Sequence, residues 1–323
     1  MSYADQHYFN LCRPIIAQKP ELTFSEQELN LGLSEDDIGA QGILPDRTGT
    51  GMIAGLPDTR RYWASHFPLL TTKKVHFRSV KEELLWMIAG DTNIRRLVQN
   101  KVSIWNEWPY EAYRKNCVKR GVTPLTIKGF IEKIKEDKVF ADKFGDLGRV
   151  YGAQWRGWQV GNKRVDQLQD IIDIIRSPTP YSRRLIMSGW NVADIPDMAL
   201  PPCHTLYQFT VIGQTLHLSL YQRSGDIFLG IPFNIASATL LLRMVAQVTG
   251  YHAGSLSHFI ACPHIYANHV DMVREQLARS PDTYGCPILR IDGSIKHIDD
   301  FKSESIVLER YESYSSISAP VAV

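Results

Sequence analysis

The sequence lacks a glycine-rich phosphate loop. Neither GxGxxG nor GxxxxGK[ST] occurs in its 323 residues, which excludes a dinucleotide-binding fold and a P-loop NTPase. Cysteine is scarce and poorly spaced for metal or cross-links. Cys12, Cys117, Cys203, Cys262 and Cys286 are odd in number and contain no CxxC pair, so a disulfide framework or an all-cysteine zinc site is not expected. No uninterrupted apolar run approaches the roughly 18 residues of a membrane helix, and the opening MSYADQHYFN shows neither a secretory nor a transit pattern. A cytoplasmic protein with reduced thiols and no membrane partner is the expectation. An excess of one charge is missing too: 36 Lys and Arg stand against 34 Asp and Glu, a formal +2, with the signs interspersed. That excludes a polycation built to coat nucleic acid, and no obligatory nucleic-acid partner is expected. No repeat at a period of roughly 20–50 residues exists, which removes solenoids and propellers.

What is present is an ordinary folding composition, 44% apolar and 10% aromatic. The pattern of VKEELLWMIAG (80–90) predicts a buried helix that carries carboxylates and stops at Gly90, and 235–250 predicts a second buried helix closed by Gly250. In HVDMVREQLAR (269–279) the apolar residues recur at helical spacing. The period changes to two in TLHLSLY (215–221), which follows LYQFTVI across Gly213-Gln214 and predicts a hairpin. Helices and strands mix without regular β-α-β alternation, so the class is α+β. One continuous domain, 1–323, is expected, with surface insertions at 19–45 and 109–144.

Several residues could carry chemistry. Cys203 follows two prolines that pin the backbone just before a strand. A Cys203-His204 dyad is weak on geometry, because adjacent residues of an extended segment point to opposite sides. Activation of that thiol is expected from nearby arginines instead. Arg47 in PDRTGTG, the pair Arg183-Arg184, and Arg223 in YQRSGD are the candidates, and converging guanidinium forks suit a dianionic phosphate. Glu83, Asp226 and Asn234 stand in apolar surroundings and must be hydrogen-bonded. Asn234 offers both a donor and an acceptor, which fits the N3–H and O4 edge of a uracil, and His264 and Tyr266 could bond a sugar. Cys262, His264 and His269 match no common metal spacing, and no metal is expected.

Together these stretches carry a family resemblance. DRTGTG (46–51), FPLLTTKKVH (67–76), EELLW (82–86), GDTNI (90–94), IW-EW (104–108), GDLG-VYGAQWR (145–156), DQLQ (166–169), SRRLIMS-WN (182–191), MALPPCH (198–204), LYQRSGDIFLGIPFNIAS (220–237), HIYANH (264–269) and APVAV (319–323) occur in order. The chain resembles the thymidylate synthase family and its close relatives, the pyrimidine-nucleotide hydroxymethylases. The resemblance implies an α+β homodimer whose mixed sheet forms the interface. It implies one-carbon transfer to C5 of dUMP, with 5,10-methylenetetrahydrofolate as cosubstrate. At the matching positions Cys203 is the nucleophile, Glu83 the acid-base group, Asn234 the holder of the uracil edge and Tyr151 the residue at the C5 proton, with His204 beside the nucleophile. Arg47, Arg223 and Ser224 would bind the phosphate from one subunit and Arg183 and Arg184 from the other. His264 and Tyr266 would bind the sugar. Asp226 would contact both substrates, and Ile104, Trp105, Trp108, Gly230, Phe233 and the terminal Val323 would line the folate site.

The chain departs from the family pattern at Asn106, Arg149, Ala261-Cys262-Pro263, Gly189 and Ala238. These departures bear on the second half of the reaction. If the folate donates hydride to the exocyclic methylene, the products are dTMP and dihydrofolate, the expected route. If water adds, the product is 5-hydroxymethyl-dUMP, the alternative, and exclusion of water decides between them. A catalytically inactive binding homologue is the remote third reading.

Overall fold

The computed structural model describes residues 2–17 and 43–322. The expected insertion at 19–45 therefore lies outside the described residues except for its last three positions, and Val323 lies outside them as well.

A five-stranded mixed sheet organises the chain. It is built from β2 (Asp58–Trp63), β5 (Ile186–Ser188), β6 (His204–Ile212), β7 (Thr215–Gln222) and β9 (His252–Ile260), in the order β2-β9-β7-β6-β5. The hairpin read from the sequence is β6-β7, turning at Gly213 with φ 57°. Strand β7 then crosses through a long helix, α9 (Gly230–Thr249), and returns as β9 in parallel pairing. The alternation in β7 sends Leu216, Leu218 and Leu220 to a buried face, while Ser219 and Tyr221 stay exposed on the other. Helix α9 covers the buried face with Leu240, Leu241 and Leu242, all solvent-free, and ends at Gly250 in the left-handed conformation (φ 79°). Truncating any such leucine to alanine costs about 2–5 kcal/mol. By length and composition α9 is apolar enough to cross a membrane, but 78% of that window is buried inside the protein, as befits a core helix.

The remaining elements surround this core. Helix α1 (Tyr3–Ile16) is fastened by Asp5, whose two oxygens accept from the backbone and hydroxyl of Thr71 and of Thr72 at 2.6–2.9 Å. A three-stranded sheet joins β1 (Met52–Ala54), β10 (Pro263–Tyr266) and β8 (Gly225–Asp226). Helices α2 (Phe77–Ile88) and α3 (Arg95–Gln99) precede three helices that occupy the 109–144 region and its approach: α4 (Glu107–Lys119), α5 (Ile127–Glu136) and α6 (Lys138–Phe144). Tyr113, Phe130, Phe140 and Phe144 form a small aromatic core of their own there, with ring centroids 4.8–5.7 Å apart. Helix α7 (Tyr151–Gly157) packs against α2 so closely that a Cβ on Gly152 would lie 2.4 Å from the Met87 carbonyl. Hairpin β3-β4 (Trp158–Val160, Lys163–Val165), helix α8 (Gln167–Arg176), helix α10 (Val270–Leu277) and hairpin β11-β12 (Ile288–Ile291, Ile306–Glu309) complete the described fold. The helices expected at 80–90, 235–250 and 269–279 correspond to α2, α9 and α10, and the mixture of elements is α+β.

Candidate active site

The cysteine selected from the sequence sits at the mouth of the sheet, immediately before β6. Its backbone N–H donates to the Tyr151 hydroxyl at 2.9 Å, and the Arg223 guanidinium lies 3.8 Å from its sulfur. Arg223 is itself held by the Pro201 and Pro202 carbonyls at 2.7 and 2.9 Å, so the two prolines position the arginine as well as the thiol. The expectation that arginines lower this thiol is met only in direction. Burial is the larger influence and leaves Cys203 above its ordinary pKa, although the charges of Arg223 and Arg47 and the Tyr151 bond pull it down.

His204 does not form the dyad. Its Nδ1 bonds the Tyr207 hydroxyl at 3.0 Å and its ring packs 5.6 Å from Tyr151. Burial lowers its pKa to about 4, with a bond to Asn234 opposing only part of the effect, so the imidazole is neutral at pH 7.

Helix α2 presents Glu83 in a buried position, where the Trp105 indole N–H donates to Oε1 at 2.7 Å. Burial raises the Glu83 pKa to about 7, and the single indole bond offsets little of that. Trp105 in turn packs against Tyr151 at 5.9 Å and Trp108 at 5.2 Å, so carboxyl, phenol and indole rings form one wall.

Asn234, on the first turns of α9, is oriented by a chain that the sequence did not reveal. Its Oδ1 accepts from the Gln222 side chain at 2.9 Å, and Gln222 Oε1 is bonded by His258 Nε2 at 2.7 Å. Gln222 closes β7 and His258 lies on β9, so the network depends on the parallel pairing across the α9 crossover. With Oδ1 fixed, the Asn234 amide nitrogen is free to donate. Asp226, in β8, accepts from the Phe228 and Leu229 amides through Oδ1 at 2.9 and 3.2 Å, and Gly230 begins α9 just beyond.

The Arg47 loop is folded by Asp46, which accepts from Thr48 and Gly51, and β1 pairs it to β10 with Met52 opposite Tyr266. Arg47 is exposed at its tip. His264 Nδ1 donates to the Cys262 carbonyl at 3.1 Å, leaving Nε2 as an acceptor, and the Tyr266 ring stands edge-on to it at 5.0 Å. Ser224 links the end of β7 to this cluster, its carbonyl accepting from Gln222 at 2.9 Å. Ile104 and Phe233 are half-buried against the core. Arg183 and Arg184 stand apart. Both are exposed on the approach to the edge strand β5, and the Arg183 carbonyl accepts from Gln208, a residue of the uncovered sheet face.

Two further residues were given no role at the site by the sequence. Lys73 is buried with its ammonium 3.4 Å from the Phe228 ring centroid and bonded to the Phe228 carbonyl, and burial lowers its pKa to about 7, Asp226 opposing. His269 is buried beside Asp226. Among the departures, Arg149 has a local explanation: it pairs with Asp194 at 2.9 Å, and Gln154 and Asn191 bond the same carboxylate. Gly189 leaves room for the His204 carbonyl, which a Cβ would approach to 3.0 Å. Asn106 precedes α4 with its Oδ1 buried and unpartnered among the described residues, and Cys262 is half-buried, its thiol raised by burial. Nothing in the structure explains Ala238. Among the described residues no group of His, Cys, Asp and Glu is arranged to hold a metal.

Residues 36–323 match the family model for thymidylate synthase. A thymidylate synthase of Mycoplasma mobile is 52% identical over 279 residues, covering 86% of this chain and 93% of that protein. One from Mycoplasma pneumoniae is 49% identical over 280 residues, covering 86% and 94%.

Proposed function

The chain belongs to the thymidylate synthase family, and from that premise we propose how its own side chains perform the reaction. The protein is a methyltransferase that moves the one-carbon unit of 5,10-methylenetetrahydrofolate to dUMP and yields dTMP; the hydroxymethylating alternative is not favoured. The observation that carries the residue-level reading is the convergence of the Cys203 thiol with Arg223, on a wall shared by Tyr151, Trp105 and Glu83.

Cys203 adds through sulfur to C6 of the uracil, which makes C5 nucleophilic and divides one hard substitution into easier steps. The thiol must lose its proton against burial. Bringing the guanidinium groups of Arg223 and Arg47 together at the phosphate keeps positive charge beside the sulfur while that happens. Negative charge that develops toward O4 meets the Asn234 amide nitrogen, which is preorganised because Gln222 and His258 fix the other end of the amide. Glu83, with a pKa near 7, holds a proton on a useful fraction of molecules at neutral pH and can return it, the requirement for a general acid-base group. Tyr151 stands where the proton leaves C5 and takes it up through water; hydride from the tetrahydrofolate reduces the exocyclic methylene to methyl and leaves dihydrofolate, the Cys203–C6 bond breaks to release dTMP, and neutral His204 walls the pocket behind.

For the nucleotide, Arg47, Arg223 and Ser224 bind phosphate, while the His264 Nε2 acceptor and Tyr266 hydroxyl bind the sugar. For the folate, one carboxylate oxygen of Asp226 is committed to backbone amides and the other remains for ring N–H groups. Ile104, Trp105, Trp108, Gly230 and Phe233 supply the apolar bed, and Trp108 Nε1 is buried with no partner among the described residues, which suits a polar group brought in by ligand. Val323 ends the segment that would close the site.

The chain works as a homodimer in this reading. Among the described residues nothing covers the sheet face opposite α9, which carries Trp63, Tyr221 and Ile186 at 51%, 44% and 41% exposure, unusual for a monomer surface. Stacking that face on a second copy carries Arg183 and Arg184 across to the other subunit's phosphate site.

The direct test is to incubate the enzyme with dUMP and methylenetetrahydrofolate and weigh the nucleotide. A product heavier than dUMP by one methyl is expected. One heavier by a hydroxymethyl, or an unchanged nucleotide, overturns the assignment.

A further inference from the structure

After β12 the chain forms no regular element, yet it is stitched down along its length. Arg310 turns it at φ 53°. The Tyr311 hydroxyl then donates to the Leu70 carbonyl and accepts from the Val75 amide, both at 2.8 Å. The Tyr314 amide bonds the Thr71 carbonyl at 2.9 Å, and Arg279, whose guanidinium stacks on the Tyr314 ring, bonds the Ser315 and Thr72 carbonyls at 2.8 Å. The last fastening of this strap among the described residues is different in kind. The Pro320 carbonyl is held at 2.8 Å by Nε2 of His269, a fully buried imidazole.

The other side of that imidazole is not idle. Among the described residues its Nδ1 has no hydrogen-bond partner, and it lies 3.7 Å from Oδ1 of Asp226. Its ring is clasped between Phe228 at 5.5 Å and Tyr266 at 5.6 Å. A carbonyl can only accept, so the Nε2 proton is committed to the strap, and the remaining nitrogen faces the carboxylate assigned above to the folate. One rigid ring therefore touches the strap on one edge, the folate carboxylate on the other, and a sugar-site ring on its face.

We propose that His269 is a positioning residue that couples docking of the C-terminal strap to the placement of Asp226, so that the strap closes productively only when the folate carboxylate is in register. This rests on the thymidylate synthase reading of the site. The alternative, that His269 merely fills the core beside Phe228, requires neither its bond to the Pro320 carbonyl nor its 3.7 Å approach to Asp226. The coupling account requires both.

The experiment uses the full-length enzyme. H269F keeps the ring between Phe228 and Tyr266 and removes both nitrogens; H269Q retains one donor and serves if H269F does not fold. Steady-state kinetics are read together with equilibrium binding of dUMP. The expected result for H269F is a KM for methylenetetrahydrofolate raised about tenfold or more, with dUMP affinity within about twofold of wild type. H269Q should fall between. Deleting residues 320–323 should lower activity by itself, and adding H269F to that deletion should cost little further, because both lesions remove one coupled unit. Multiplicative losses in the double variant, or equal weakening of folate and dUMP, would overturn the proposal. A wild-type enzyme that fails to turn over dUMP at all would instead overturn the reading on which it rests.

Discussion

The two faces of the five-stranded sheet are built from the same strands and have opposite fates. One face is sealed by α9 and is apolar wherever it meets the helix; at its end lie Gln222 and His258, the pair that orients Asn234. The other carries Arg61, Ser257, Ser219, Gln208 and Ile186 in one cross-strand row, and its aromatic pair Tyr221 and Phe259 stack at 5.1 Å. The covered face fixes catalytic groups by packing within one chain. Arg183 and Arg184 are exposed beside the uncovered face, where the proposed second copy would meet them. The contrast separates what packing within one chain holds from what the proposed dimer would add.

The largest effect should come from the covered side. Cys203→Ser replaces a thiolate nucleophile by a hydroxyl that stays protonated, and kcat should fall at least roughly a thousandfold. Turnover near wild type would end the covalent mechanism. Glu83→Gln should lower kcat by about a hundredfold or more, and it has a second signature. The folded-state pKa of Glu83, about 7, lies above the ordinary 4.5, so the folded protein binds its proton more tightly than the unfolded chain. The stability associated with that proton is complete below pH 4.5 and is lost as pH rises through 7. The glutamine variant has no charge to bury. It should therefore gain on wild type as pH rises from 5 to 8, by up to about 3 kcal/mol in denaturant titrations; a constant difference would show that Glu83 is not the group ionising there.

A smaller effect tests whether the two faces meet across a dimer. Cys203→Ser and Arg183→Ala subunits, each nearly inactive alone, can combine into a dimer in which one site has an intact cysteine and an intact crossing arginine. Random mixing makes half of the dimers hybrid, each with one good site, so about a quarter of wild-type activity should return. No recovery would place Arg183 in its own subunit's site.

The covered face was also the more legible in sequence. Hairpin β6-β7 announces itself by a period of two, helix α9 by an apolar stretch closed at Gly250, and the buried helix around Glu83 by a carboxylate amid leucines. Cys203, Arg223 and Asn234 could be chosen because each residue type is costly or reactive where it stands. Gln222 and His258 could not be chosen, since each is unexceptional until the parallel return of β9 brings them together. The thiol's direction of shift was hidden for the same reason: the arginines are visible in sequence, whereas the burial that outweighs them is a property of the packed site. His269 was weighed as a metal ligand, and only the strap's path shows what it bonds.

The smallest expected effect lies on the uncovered face, at His217. Its Nδ1 lies 3.2 Å from the Ser255 amide and 2.9 Å from the Ser255 hydroxyl. A backbone N–H can only donate, so Nδ1 must keep its lone pair, and the neutral ring carries its proton on Nε2. Burial lowers the His217 pKa, and the charge of Arg61 adds to the lowering. Sign follows from geometry: with the folded-state value depressed, the contribution is present above the ordinary histidine range and is lost as pH falls through the folded value. Protonation would set an N–H against the Ser255 amide and a cation beside Arg61, on the surface proposed to meet a second copy. Lowering pH from 7.5 to 5.5 should thus lower the folding stability slightly in denaturant titrations, and His217→Gln should flatten that part of the dependence. A pH response that survives the substitution unchanged would assign the titration to another group and leave the uncovered face without a role for this histidine.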